Sequence, residues 1–318
     1  MWNRALIKSE AKSRLRRYYW MALLVCLVGN LVGGIAGGTS RGVSGSLDLD
    51  GELLYNPVFW SAVLGAGAIG ALFSLAAKVL LGNPVEMGRN RYFLESREAP
   101  SIFEKLFFAF TGGGQRYKNV ILTLFMRDLK LFLWRVLNRL PGVIISFLLV
   151  MMDGGSWMNM GPLLGLGVAV LLVEESLLVV ICLILFVMEF LFGAVAAYSV
   201  FLSALPVAAI GILCSILPII KHYEYRMVPY ILSERPDLPQ QRVFELSRDM
   251  THGEKWKMLL LDLSFVGWYL LALLSCCVGW IFLQPYIEAS YAELYTALRE
   301  KAFGMGFSDR TELPGFLR

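Results

Sequence analysis

Residues 162–220 form a nearly continuous apolar run of 59 residues. As helix, at about 1.5 Å per residue, that run would reach roughly 88 Å. The hydrocarbon core of a bilayer is about 30 Å thick, and a soluble core cannot hide several runs of that length. Glu174–Glu175, Gly193, Pro206 and Pro218 divide the stretch. Residues 176–200 read as a span, 203–220 as a borderline one, and 162–173 as too short alone. Composition agrees: 57% of residues are hydrophobic and 17% charged, against about 25% charged in a soluble domain. Mean hydropathy is +0.61. The expectation is an all-α, polytopic transmembrane helix bundle of about six spans, or eight if every apolar piece crosses, forming a single integral membrane domain over 1–318.

Charge placement sets the orientation. Of 29 Lys and Arg residues, 23 fall in 1–18, 82–118, 221–257 and 299–318. Basic loops stay cytoplasmic, so these segments and both termini are placed inside. The acidic stretch 39–56, with Asp48, Asp50 and Glu52, is placed outside. Each basic cluster abuts an apolar run, which argues against nucleic acid as a partner. The bilayer itself is the expected partner, with a membrane protein or a second copy of the chain beside it.

Further spans are expected at 20–38, 57–81, bent through 131–152, 258–275 and 279–297. Leu81–Gly82–Asn83–Pro84 and Pro141–Gly142 read as helix breaks. Phe103, Leu106, Phe107 and Phe110 have the spacing of an interfacial amphipathic helix. Asp237 is expected to cap a helix over 238–251 that buries Val243, Phe244, Leu246 and Met250. The five cysteines, Cys26, Cys182, Cys214, Cys276 and Cys277, all lie in apolar stretches and read as packing residues.

Catalytic signals are poor. Gly42-Val43-Ser44-Gly45 resembles a nucleophile loop, but both histidines, His222 and His252, fall on the opposite side. No metal spacing or cofactor fingerprint stands out, so no enzyme, cofactor or metal is expected. The informative residues are acids inside apolar runs: Glu174, Glu175, Glu189, Asp262 and Glu288. A charge at the bilayer centre costs about 2.5–3.5 kcal/mol on insertion scales, so such acids face a bundle interior, a partner or water. Two readings follow: a non-enzymatic helix-packing or partner-binding factor, or a small transporter or export component that uses these acids.

Several motifs carry a family resemblance. They are Asn83-Pro84-x-Glu86-x-Gly88 with Arg91-Tyr92-Phe93-Leu94, and Tyr223-x-Tyr225-x-Met227-x-Pro229-Tyr230-Ile231-Leu232. Leu261-Asp262-Leu263-Ser264-Phe265-x-Gly267-Trp268 follows, then Pro285-Tyr286 and Tyr291-Ala292. In these the chain resembles the bacterial integral membrane family of domain of unknown function 975. The resemblance implies a multi-pass protein of the bacterial cell membrane and no known activity. Residues 143–217 stand as an apolar insert relative to the family pattern.

Overall fold

The computed structural model describes residues 2–38, 69–70, 72–98, 101–152, 216–275 and 278–316. Those residues are helical throughout, joined by turns, with no strand among them. The chain divides into two compact units, Met1–Arg127 with Tyr223–Arg318, and Asp128–His222.

In the first unit, helix α1 (Arg4–Leu15) buries Ile7, Ala11 and Leu15. It packs on α10 (Val278–Gly304), the longest helix lying wholly in this unit. Helix α2 (Tyr19–Gly38) carries no charged residue and also lies against α10. Next come a π turn (Lys78–Gly82) and α3 (Asn83–Ser96). The expected break at Leu81–Pro84 is absent. Pro84 sits in the first turn of α3, where its fixed φ suits helical geometry. The π turn, one residue wider than an α turn, carries the helix through. Tyr117 braces it by donating to the Leu80 carbonyl at 2.8 Å.

Phe103–Phe107 is a 3₁₀ turn followed by the short α4 (Phe108–Thr111), not one amphipathic helix. Leu106 points inward, fully buried, while Phe107 and Phe110 stay partly exposed. Gly113, at φ +84°, reverses the chain into α5 (Gly114–Met152). This conformation is one that a side chain disfavours. Helix α5 runs on through Pro141–Gly142, so proline there interrupts one hydrogen bond without ending the helix. In the second unit Lys221 lies over the Trp134 ring at 5.5 Å, and Phe132, Leu133 and Leu137 are exposed.

Helix α6 (Val228–Glu234) is buried along its whole length. Helix α7 (Gln240–Thr251) buries Val243, Phe244, Leu246 and Met250, as its apolar period requires. Its N-cap is Pro239, not Asp237. Proline pushes the residue before it out of helical geometry, so the helix begins later, and Asp237 instead lies 3.7 Å from Arg116.

The expected span at 258–275 is interrupted. Helix α8 (Lys255–Leu263) stops at Ser264, and α9 (Val266–Leu274) has nine residues, about 13 Å of rise. Helix α10 carries Glu288, Glu293, Arg299, Glu300 and Lys301. Among the described residues no helix is long and apolar enough to cross a membrane. The expected span at 176–200, the external stretch 39–56, the first half of the expected span at 57–81 and most of the insert 143–217 lie outside the described residues.

Candidate functional site

Asp262, near the end of α8, accepts three hydrogen bonds. Tyr223 Oη and Arg226 Nη1 reach Oδ2 at 2.8 and 2.5 Å, and Tyr291 Oη reaches Oδ1 at 2.9 Å. The Arg226 guanidinium also covers the Tyr291 ring at 4.1 Å and the Tyr223 ring at 5.4 Å. Burial alone would lower the Arg226 pKa. The Tyr291 and Asp262 oxygens reverse that effect and hold it well above its ordinary value. Burial, and then the Asp262 charge, push the Tyr223 hydroxyl up. Arg226 therefore stays charged and Tyr223 stays a donor, which is what a carboxylate in this setting needs.

Glu288, on α10, pairs with Arg89 of α3 at 3.0 Å. Arg89 Nη1 also lies 3.5 Å from Asn30 Oδ1. Asn30 and Gln284 bond reciprocally: Asn30 donates to Gln284 Oε1, and Gln284 Nε2 returns a bond at 3.0 Å. One turn before Arg89, Glu86 forms a bidentate pair with Arg127 at 2.8 and 3.1 Å. Burial would raise the Glu86 pKa, but the Arg127 charge and hydrogen bonds outweigh it and hold the carboxyl at about 2. Tyr230 lies within electrostatic reach of both groups. It stacks on Tyr295 at 5.6 Å. Burial and the nearby Glu288 raise its hydroxyl pKa, while Arg226 and Arg89 oppose the rise.

A second set of carboxylates lies outside these groups. Glu234, with no exposed side-chain surface, meets Arg299 Nη1 at 3.1 Å through both oxygens. It also accepts from Tyr295 Oη at 2.8 Å and from the Gly315 amide at 2.7 Å. Glu293 pairs with Arg97 at 2.9 Å and Arg14 at 3.3 Å. Glu224 holds Arg248 and Lys255, each at 3.0 Å. Removing one partner of such a pair strands a buried charge, at a cost of about 3–5 kcal/mol.

The resemblance motifs thus acquire distinct roles. Asn83, Pro84 and Pro229 are buried in first turns. Gly88 lies directly against the Leu106 backbone. Tyr225 meets Phe244 edge-on at 5.4 Å. The Ser264 carbonyl accepts from Lys8 at 3.0 Å, and Tyr286 packs edge-on against Phe265 at 5.8 Å. Pro285 is buried inside α10. Gly267 and Trp268 are exposed and belong to none of these clusters. Glu174, Glu175 and Glu189 lie outside the described residues. Arg89 and Arg226 escaped sequence reasoning. Their signal, Arg three residues after Glu86 and Arg inside the tyrosine-rich motif, was absorbed into the orientation argument. Among the described residues no three His, Cys, Asp or Glu side chains group so as to hold a metal.

These features define a protein that is all-helical over its described residues and whose buried carboxylates are clamped by arginine, lysine and tyrosine donors from distant segments. The chain belongs to the family described as Protein of unknown function (DUF975), whose model matches residues 1–302. No curated protein and no solved structure matches it.

Proposed function

We propose that the chain is a non-enzymatic integral protein of a bacterial cell membrane, a helix-packing or partner-binding factor with both termini on the cytoplasmic side. One observation carries the reading. Large apolar side chains lie exposed along α2 (Trp20, Leu24, Leu27, Leu31), α9 (Leu271, Leu274) and the start of α10 (Trp280, Phe282). Water-soluble monomers rarely expose contiguous apolar patches of more than a few hundred Å². Tyr19 bonded to the Phe282 carbonyl at 3.0 Å, and Tyr269 stacked on Trp280 at 4.9 Å, make this surface continuous. Asp262 and Glu288 are both paired, which favours a structural role for them over transport.

Alkaline carbonate washing of membranes, with cysteine labelling in intact cells, tests the reading. The chain is expected to stay with the membrane pellet. A cysteine at position 45 should react with an impermeant maleimide, and one at position 13 only after permeabilisation. Release into the wash would refute membrane integration. Solute-dependent labelling of a cysteine at position 189 would favour the transporter reading instead.

A further inference from the structure

Helix α1 is clamped in place by its buried Ile7, Ala11 and Leu15 and by the Arg14–Glu293 pair. Its outward side and the following turn expose Lys12, Arg16 and Arg17, which have no carboxylate within ion-pair distance among the described residues. Hydrogen bonds from Arg16 N to the Lys12 carbonyl and from Ala22 N to the Tyr18 carbonyl keep the chain winding from α1 into α2. The charge-free α2 begins at once. Its first outward residue, Trp20, is 75% exposed. Trp20, Leu24, Leu27 and Leu31 are all exposed, and their spacing sets them in one stripe along the helix. Eleven residues of rise give the stripe a length of about 16 Å. That is about half the thickness of a hydrocarbon core, the depth of one leaflet.

An uncompensated triple cation thus stands at the head of an apolar track one acyl chain long, with an indole at the junction. Indole rings favour that level of a bilayer. We propose that Lys12, Arg16 and Arg17 bind the phosphate of an anionic glycerophospholipid whose acyl chain lies along Trp20–Leu31. The proposal rests on the membrane reading above and adds a headgroup preference that a generic apolar surface would lack. Lysine and arginine near an anionic lipid surface are attracted strongly enough that three together give enrichment on the order of tenfold or more.

The test uses the full chain reconstituted into phosphatidylcholine vesicles. These carry either brominated phosphatidylglycerol or, at the same mole fraction, brominated phosphatidylcholine. Subtracting the emission of the Trp20→Phe variant isolates Trp20. The expected result is several-fold stronger quenching of Trp20 by the brominated phosphatidylglycerol. Substituting Lys12→Gln, Arg16→Gln and Arg17→Gln together should bring the two lipids to parity, because these exposed side chains do not support the fold. Equal quenching by the two lipids in the native chain would overturn the proposal and leave the membrane reading standing. So would a preference that survives the triple substitution, or one abolished by inorganic phosphate, which would mark a site for free anions. No quenching by either lipid would sink the membrane reading itself.

Discussion

Replacing Gly88 with alanine is expected to damage this fold more than its size suggests. A Cβ at residue 88 would lie 1.8 Å from the Leu106 carbonyl oxygen and 2.5 Å from its carbon. Ordinary contact begins at 3.4 Å, so α3 and the 3₁₀ turn would have to part by more than 1 Å. The obstacle is backbone, and a Cβ has no rotamer with which to evade it. Leu106 is fully buried, so parting also opens its packing. Alanine would gain about 1 kcal/mol over glycine in helix propensity. Overpacking typically costs about 1–3 kcal/mol and more where nothing gives way. Helix α3 also carries Glu86 and Arg89, so its displacement strains their pairs with Arg127 and Glu288. The net destabilisation should be about 2–4 kcal/mol, a fall in Tm of roughly 3–8 °C. Tryptophan fluorescence of the purified chain during heating in mild detergent would measure it. Gly267→Ala is the control, because nothing lies within 4 Å of a Cβ there. If the two variants melt together, the close approach of α3 to the 3₁₀ turn is wrong.

The Glu86 carboxyl, held at about 2 against an ordinary 4.5, stabilises the fold fully above about pH 4.5. Its contribution should fade as pH drops from there through about 2. Acid titration of stability should show this loss, and Glu86→Gln should flatten it over the same window. Tyr223→Phe removes one of three donors to Asp262 and should cost about 1 kcal/mol, whereas Asp262→Asn, which strands Arg226, should cost about 3 kcal/mol. Comparing their denaturation midpoints checks the difference. Glu234→Gln should loosen the segment that reaches back to Glu234 through Gly315. Trypsin would then cut at the exposed Arg310 faster than in the native chain, and an unchanged rate would count against the clamp.

What the amino-acid sequence revealed followed from period and chemistry. The buried face of α7 came from helical spacing, and the need of Asp262 and Glu288 for partners came from the cost of placing charge in apolar surroundings. Punctuation misled where wider structure overrode it. Pro84 is harmless in a first turn, Pro141 lies within a helix, and Pro239 displaced Asp237 from its cap. The identities of the partners were not legible. Arg226 lies 36 residues before Asp262, and Arg89 reaches Glu288 from a different helix altogether. No local pattern encodes such a pairing. Gly88 belonged to a motif, but only the position of the Leu106 carbonyl supplies its physical reason.

The long reach of these pairs also bears on how the molecule is assembled. Lys8 bonds to a carbonyl 256 residues later, Arg97 to a hydroxyl 199 residues later, and Arg91 to a carbonyl 142 residues later. A ribosome delivers those partners only after most of the chain has emerged, at about 5–20 residues per second. Several early cations must therefore wait many seconds before α6, the turn at Ser264 and α10 exist to receive them. Closure of these pairs is therefore a late event that depends on the last third of the chain. Premature termination anywhere before residue 293 would leave Arg14 and Arg97 without the carboxylate that joins them, giving quality-control proteases an unlatched N-terminal segment to seize.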